Sequence, residues 1–324
     1  MKKIILLLFI IYSVFADDHA IVFTYHRFGN DKYPSTNITK EQFKAQLEYL
    51  HNNHYNVEKL STVINQLQQN KPLAPKTVVL TMDDAYKSVY TVAFKMLKEY
   101  GYKCTVFVNT NPIDVKSKYY MSWDQMREMK KYGIEFSNHS YSHPYLLEKK
   151  DTLDKEIKYA QERLQKELGE DTNENPKMFS YPFGEYDTEI QKYLEKNGFV
   201  GITQTSGVLY KGNLSEVPRY PMSEKFATKK GFHLKLNTLP LPVEYTEIDE
   251  DQNPPTIKIK LKKSLNVECF LSSGENIGIK WLDNTTFQVK AKEQFTSRRE
   301  KYTCTAKAEG GKWYWYSYLW ISKD

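Results

Sequence analysis

Only three cysteines occur among the 324 residues, Cys104, Cys269 and Cys304, and none directly follows the apolar run at the N-terminus, which argues against a lipoprotein signal. Long hydrophobic runs are missing as well. The stretch from Ile4 to Phe15 falls short of the about 20 apolar residues that span a bilayer, so no stable transmembrane anchor is expected. No basic block is present, and with it goes the electrostatic signature of a nucleic-acid-binding chain. Lys+Arg number 46 against 40 Asp+Glu, a formal charge of +6 and only weakly basic.

What the N-terminus does carry is Lys2 and Lys3, the apolar run, and Val14 and Ala16 placed for cleavage before Asp17. This pattern predicts a signal peptide over 1–16 and an exported protein, periplasmic or extracellular. Such a destination is oxidising, so disulfides become admissible.

From Ala20 onward, apolar β-rich runs at 20–26, 77–82, 103–109, 133–138, 178–182, 199–205 and 216–221 alternate with helical patterns at 40–55, 86–100, 122–132, 151–168 and 187–196. Strands alternating with helices predict a parallel sheet, here an α/β fold closed into a distorted (β/α) barrel of about seven strands. Ser122 with Gln125 three residues on has the pattern of a capping box. Around 240–255 the pattern breaks into Pro-rich and then acidic sequence, which predicts a linker between a barrel over 17–239 and a small all-β sandwich over 256–324.

Chemistry concentrates at two predicted strand ends. The apolar strand 77–82 runs into Asp83 and Asp84, and in a β/α barrel the carboxyl ends of strands form the active-site face. Adjacent residues leave the chain in different directions, so one carboxylate can bind a metal while the other stays free as a base. Asp is also a common turn and cap residue, which is the structural alternative. His139 and His143 follow the strand 133–138, and their spacing of four predicts one face of a helical turn, from which both imidazoles reach one ion.

Taken together, Thr81-Met82-Asp83-Asp84, His139-Ser-Tyr-Ser-His143 and Ser180-Tyr-Pro-Phe-Gly184 resemble, in order, the three motifs of the polysaccharide deacetylases of carbohydrate esterase family four, over roughly 20–236. The resemblance implies that Asp84, His139 and His143 ligate a divalent metal, Zn²⁺ first, with Co²⁺, Ni²⁺ or Mn²⁺ as alternatives. It implies that Asp83 is the general base and that the backbone of Phe183 donates to the oxyanion. Its expected partner is an acetylated aminosugar polysaccharide: poly-N-acetylglucosamine, a chitin-like polymer or peptidoglycan glycan.

Departures from the motifs matter. Ser180 stands where the family's Arg would hold the base, and Arg219, in Val217-Pro218-Arg219-Tyr220, is expected to replace it, as in the similar poly-N-acetylglucosamine deacetylase subgroup. The alternative is a surface Arg219 paired with Glu216 or Glu224. For the group that protonates the leaving amine, His26 at the end of the first strand competes with His233. Ala85 replaces the Gly often found after the Asp pair, which predicts an ordinary φ there. Tyr181 and Trp123 are candidates to flank a sugar ring.

In the C-terminal region Cys269, Trp281 and Cys304 occur in the order seen in immunoglobulin-like domains, with Tyr302 two residues before the second Cys. That order implies a Cys269–Cys304 disulfide, with Cys104 a buried free thiol. Strand alternation in Trp313-Tyr-Trp-Tyr-Ser-Tyr-Leu-Trp320 predicts one face for the sandwich core and another for the barrel or for sugar. The expected activity is N-deacetylation; an O-acetyl polysaccharide esterase and a catalytically weak polysaccharide-binding protein are the rival readings.

Overall fold

The computed structural model describes residues 18–169, 176–223 and 225–322; the expected signal peptide lies outside them. One sheet runs in the order Leu209–Tyr210, His19–Tyr25, Thr77–Met82, Thr105–Val108, Glu135–Asn138, Lys177–Ser180, Phe199–Ile202, Glu216–Val217. From His19–Tyr25 to Glu216–Val217 every neighbouring pair is parallel. Tyr220–Pro221 then pairs back on the first strand, Phe23 opposite Tyr220, so residues 216–221 bridge the two ends and nearly close the barrel.

Period-two alternation sorts the side chains of these strands. Ala20, Val22, Val79, Phe107, Met178, Ile202 and Val217 gather in one buried cluster, whereas Ile21, Phe23, Tyr25, Leu80, Met82, Val106 and Val108 pack outward against helices. The helices Lys40–Asn52, Phe94–Tyr100 and Trp123–Lys130 supply Phe43, Leu47, Leu97, Met126 and Met129 to that outer layer. The capping box of the last is formed: the Gln125 N–H donates to Ser122 Oγ at 3.3 Å, and Gln125 Oε1 accepts from the Ser122 N–H at 3.0 Å. Phe94–Tyr100 ends on Gly101 at φ 66°, a left-handed stop suited to glycine.

Beyond the barrel, a five-stranded sheet and a four-stranded sheet enclose a separate core of Ile257, Ile259, Leu261, Cys269, Phe287, Val289, Tyr302 and Cys304. The segment expected as a linker holds the strand Val243–Asp249, paired antiparallel with Thr256–Leu261. Cys269 and Cys304 form the disulfide, and Cys104 is free and buried. The immunoglobulin-like expectation departs from the structure in two respects. The two cysteines lie directly opposite on adjacent strands of one sheet, rather than bridging two, and Trp281 is 40% exposed instead of packing on the disulfide. Tyr302 is buried, and its hydroxyl donates to Pro255 O at 3.0 Å while accepting from the Ala291 N–H at 2.9 Å. In Trp313–Ile321, Tyr314, Tyr316 and Tyr318 face the sheet core, while Trp315 meets the barrel's Tyr220 ring edge-on at 5.4 Å.

Candidate metal centre and base

The alternation that sends Val79 inward continues through Thr81 to Asp83, so Asp83 enters the barrel mouth and Asp84 turns to its rim. Asp83 and Arg219 are both wholly buried. Arg219 meets the carboxylate with two parallel bonds, Nη1 to Oδ1 at 2.7 Å and Nη2 to Oδ2 at 2.8 Å. Its remaining donors go to Thr81 Oγ1 at 3.1 Å, Ser180 Oγ at 2.9 Å and Thr203 O at 2.9 Å, so all five N–H groups of the guanidinium have acceptors. Ser180 Oγ also reaches Asp83 Oδ2 at 3.3 Å. Burial would raise the Asp83 carboxyl, but Arg219 outweighs it and holds the group below its ordinary value. Glu216, the alternative partner weighed for Arg219, accepts instead from the Tyr186 hydroxyl at 2.9 Å.

His139 and His143 do approach one another, with ring centroids 4.7 Å apart, but not on a helix. The chain after Glu135–Asn138 bends, with Ser140 at φ 70° and His143 at φ 58°. Short polar side chains impose this shape by capturing backbone donors. Asn138 Oδ1 accepts from the Ser140 N–H at 2.9 Å, and Ser140 Oγ accepts from the His143 N–H at 2.9 Å. Glu156, buried in the π-helix Asp154–Tyr159, accepts from both the N–H and hydroxyl of Ser142 at 2.8 Å.

Asp84 Oδ1 lies 3.4 Å from His139 Nε2 and 3.4 Å from His143 Nε2. These three residues form a cluster whose donor atoms all lie within 4.8 Å of one another. The fit to a cation rests on tautomer chemistry. His139 Nδ1 is 2.8 Å from Ser180 O, an acceptor only, so Nδ1 carries the hydrogen and Nε2 turns toward the carboxylate. Nε2 is buried and has no hydrogen-bond partner in the protein, and 3.4 Å is too long for a good bond to Asp84. A positive charge between the two acceptors resolves that contact, and one carboxylate with two imidazoles is a donor set for a divalent ion. From protein groups alone, burial would lower His139, but Asp84 and Asp83 raise it above its ordinary value; His143, partly buried beside His139, is pushed down to about 4 by desolvation and by that neighbouring imidazole.

The ordinary φ expected at Ala85 is overturned. Asp84 and Ala85 sit at φ 71° and 56°, a left-handed pair that swings the Asp84 carboxylate back toward the histidines. Phe183, in the single turn Pro182–Gly184, is likewise left-handed at φ 59° and ψ 2°. With Ser140 and His143, five of the nine positive-φ non-glycine residues among the described ones surround this cluster. Strained backbone collects where function over-determines it.

His26 lies at the barrel mouth, where burial lowers its imidazole while the charges of Asp83 and Asp84 pull it upward. His233 sits instead on the outer helix Lys229–Leu236, its ring 3.9 Å from that of Tyr49. Tyr181 is only 1% exposed and stacks on Tyr186 at 4.4 Å, which removes it from any sugar-facing surface. Trp123 is partly buried, with its indole N–H donating to Asp114 at 3.0 Å. Reading the sequence missed the double duty of Ser180, whose hydroxyl serves Arg219 and Asp83 while its carbonyl orients His139. It also missed Thr81, which shares its strand face with Asp83. The parity of 81 and 83 carried the signal for Thr81.

Residues 70–202 match the polysaccharide deacetylase family, a stretch that contains both aspartates, both histidines and the Ser180–Gly184 run. The chain carries a polysaccharide deacetylase domain. His26 and Arg219 lie outside the matched stretch. YxkH of Bacillus subtilis, which bears a polysaccharide deacetylase name, is 29% identical over 188 residues, 57% of this chain and 64% of its own. The poly-beta-1,6-N-acetyl-D-glucosamine N-deacetylase of Escherichia coli K12 is 24% identical, over 56% of this chain and 33% of that protein. This chain therefore aligns with less than two thirds of either relative's length. The Streptococcus pyogenes deacetylase PplD, solved in complex with acetate, superimposes with a TM-score of 0.61 at 25% identity, covering 67% of this chain and 98% of its own.

Proposed function

We propose that the protein is an exported, metal-dependent hydrolase that removes N-acetyl groups from an aminosugar polysaccharide, with poly-N-acetylglucosamine the first polymer to test. In this reading residues 1–16 are a signal peptide, 17–239 the deacetylase barrel, 240–255 a connecting segment and 256–324 an accessory β domain. One observation carries it: a buried imidazole nitrogen without a partner faces Asp84, beside a second carboxylate that Arg219 keeps charged.

Asp84, His139 and His143 would hold the ion, Zn²⁺ first, with Co²⁺, Ni²⁺ and Mn²⁺ also compatible with this donor set. A divalent ion there supplies Lewis acidity, easing proton loss from a water and polarising an acetyl carbonyl. Asp83, oriented by the guanidinium fork, accepts the proton as the water oxygen bonds to the acetyl carbon. The N–H of Phe183 faces the developing oxyanion; the first N–H groups of a helical turn have no acceptor inside it. As the carbon–nitrogen bond breaks, His26 delivers a proton to the leaving nitrogen, giving acetate and a free amine. The proton that it delivers is the equivalent of the one that Asp83 takes from the water, so the step balances.

The test is release of acetate and free amine from N-acetylglucosamine oligomers by protein stripped of metal and reloaded with Zn²⁺ or Co²⁺, beside Asp83→Asn. Both products, restored by metal and absent in the variant, are expected. Acetate without amine from an acetylated glycan would replace the reading by an O-acetyl esterase. Glycan binding without release of either product would replace it by a binding protein.

A further inference from the structure

Glu185 directly follows the Pro182–Gly184 turn and is wholly buried, yet the cations that reach it come from the far end of the chain. Arg298 Nε lies 2.9 Å from Glu185 Oε1 and 3.0 Å from Oε2, and Arg298 Nη2 donates to Oε2 at 2.8 Å. Arg298 Nη1 continues to Glu148 at 2.8 Å, and its guanidinium lies 4.2 Å from the centre of the Tyr145 ring. Tyr145 stacks on Phe183 at 4.1 Å and 14°, and the Phe183 ring meets His143 at 4.5 Å. Arg299 Nη1 donates to the carbonyl of Phe183 itself.

We infer that the C-terminal β region is a working part of the deacetylase site, in which Arg298 and Arg299 are positioning residues that hold the 182–185 turn and its Phe183 N–H against the metal centre. The inference rests on the deacetylase reading for what the turn does, though not for how it is held. The left-handed backbone of Phe183, at φ 59°, is one that L side chains rarely adopt and persists only where its surroundings dictate it. A carbonyl anchored by Arg299, a ring pinned by Tyr145 and a neighbouring carboxylate gripped by Arg298 are such surroundings. Residue choice points the same way. Of 46 basic residues only six are arginine, and three of those six are Arg219, Arg298 and Arg299. Arginine offers a rigid fork where lysine offers a point charge, and it appears where a buried carboxylate needs bidentate orientation. PplD aligns over nearly all of its own length with only two thirds of this chain, so the rest of the chain has no counterpart there.

Arg299→Gln is the cleanest probe, because its side chain is 41% exposed and its loss leaves Arg298 on the buried carboxylate. Arg298→Gln with Glu185→Gln removes the other grip together with the charge it neutralises, and Arg298→Lys asks whether charge without the fork suffices. Two readouts are taken on the full chain loaded with Co²⁺. Hydrogen–deuterium exchange over 180–186 is expected to quicken at least about tenfold. On N-acetylglucosamine oligomers kcat is expected to fall about ten- to a hundredfold, the scale of a misplaced group, with KM, the Co²⁺ absorption spectrum and Tm nearly unchanged. Arg298→Lys should recover only part of kcat. Exchange at the wild-type rate in Arg299→Gln and in the double variant overturns the clamp; faster exchange with undiminished kcat overturns its catalytic role. Should the wild-type protein release no amine from any oligomer, the deacetylase reading fails while exchange still decides whether the turn is held from this region.

Discussion

Arg219 and Asp83 illustrate how much a single buried pair can set. The carboxylate is useful only if it stays charged and correctly turned inside the protein, and the five-donor network around Arg219 does both. Removing one partner leaves the other uncompensated, at a cost of about 3–5 kcal/mol. Arg219→Ala should therefore lower the melting temperature as well as abolish amine release. Arg219→Lys, which keeps the charge but not the fork, should fold with a smaller loss and a kcat reduced at least about tenfold. Thermal melts beside steady-state assays check this, and a fully active Arg219→Lys enzyme would show that charge alone suffices. Proton linkage at His139 gives a second expectation. Its pKa is raised above its ordinary value by the two aspartates, and an ion must displace that proton, so metal affinity should weaken as pH falls through the raised value. His143, already neutral down to about 4, adds no comparable penalty in that window. Calorimetric titration with Zn²⁺ between about pH 8 and pH 5.5 measures it; an affinity independent of pH would place the proton elsewhere.

Among the elements, strands were legible because their pattern is local. Residues 77–82 were expected as a strand, and Thr77–Met82 is one; the parity that buries Val79 also delivers Thr81 and Asp83 to the mouth. The segment from His139 to His143 was not legible in the same way. A spacing of four is consistent with a helical turn, but the bend was decided by Asn138, Ser140 and the distant Glu156, which take over backbone donors. Phe199–Ile202 shows a constraint of another kind. A Cβ added at Gly201 would lie 2.4 Å from the Tyr181 hydroxyl and 2.9 Å from its ring, so the strand needs glycine for close approach rather than for φ. Gly201→Ala should cost about 1–3 kcal/mol. Adding Tyr181→Phe should return part of that loss, and a double-mutant cycle by denaturant unfolding that shows strict additivity would contradict the clash.

The whole molecule joins a barrel, whose contacts follow chain order, to a β region held by contacts across long sequence separations. Cys269 and Cys304, 35 residues apart, tie two adjacent strands of that region. In the chain-entropy account such a loop contributes roughly 3–4 kcal/mol. Cys269→Ala with Cys304→Ala should lower the unfolding free energy by about that amount and, because Arg298 and Arg299 flank the start of Arg299–Lys307, should also reduce kcat. A denaturant midpoint equal to wild type would show that strand pairing alone secures the region.

The sequence by itself determined the alternating strand and helix order, the Asp83, Asp84, His139 and His143 set, and the cysteine pair. Each is written in local periodicity or in motifs of a few residues. Only the tertiary structure decided that Arg219 rather than another cation holds Asp83, that Ser180 serves both Asp83 and a histidine, that Asp84 and Ala85 are left-handed, and that Arg298 and Arg299 reach the Phe183 turn. Those contacts join residues 39 to 138 positions apart. Their geometry depends on barrel closure and on the packing of the β region against it, and neither leaves a periodic trace in the chain.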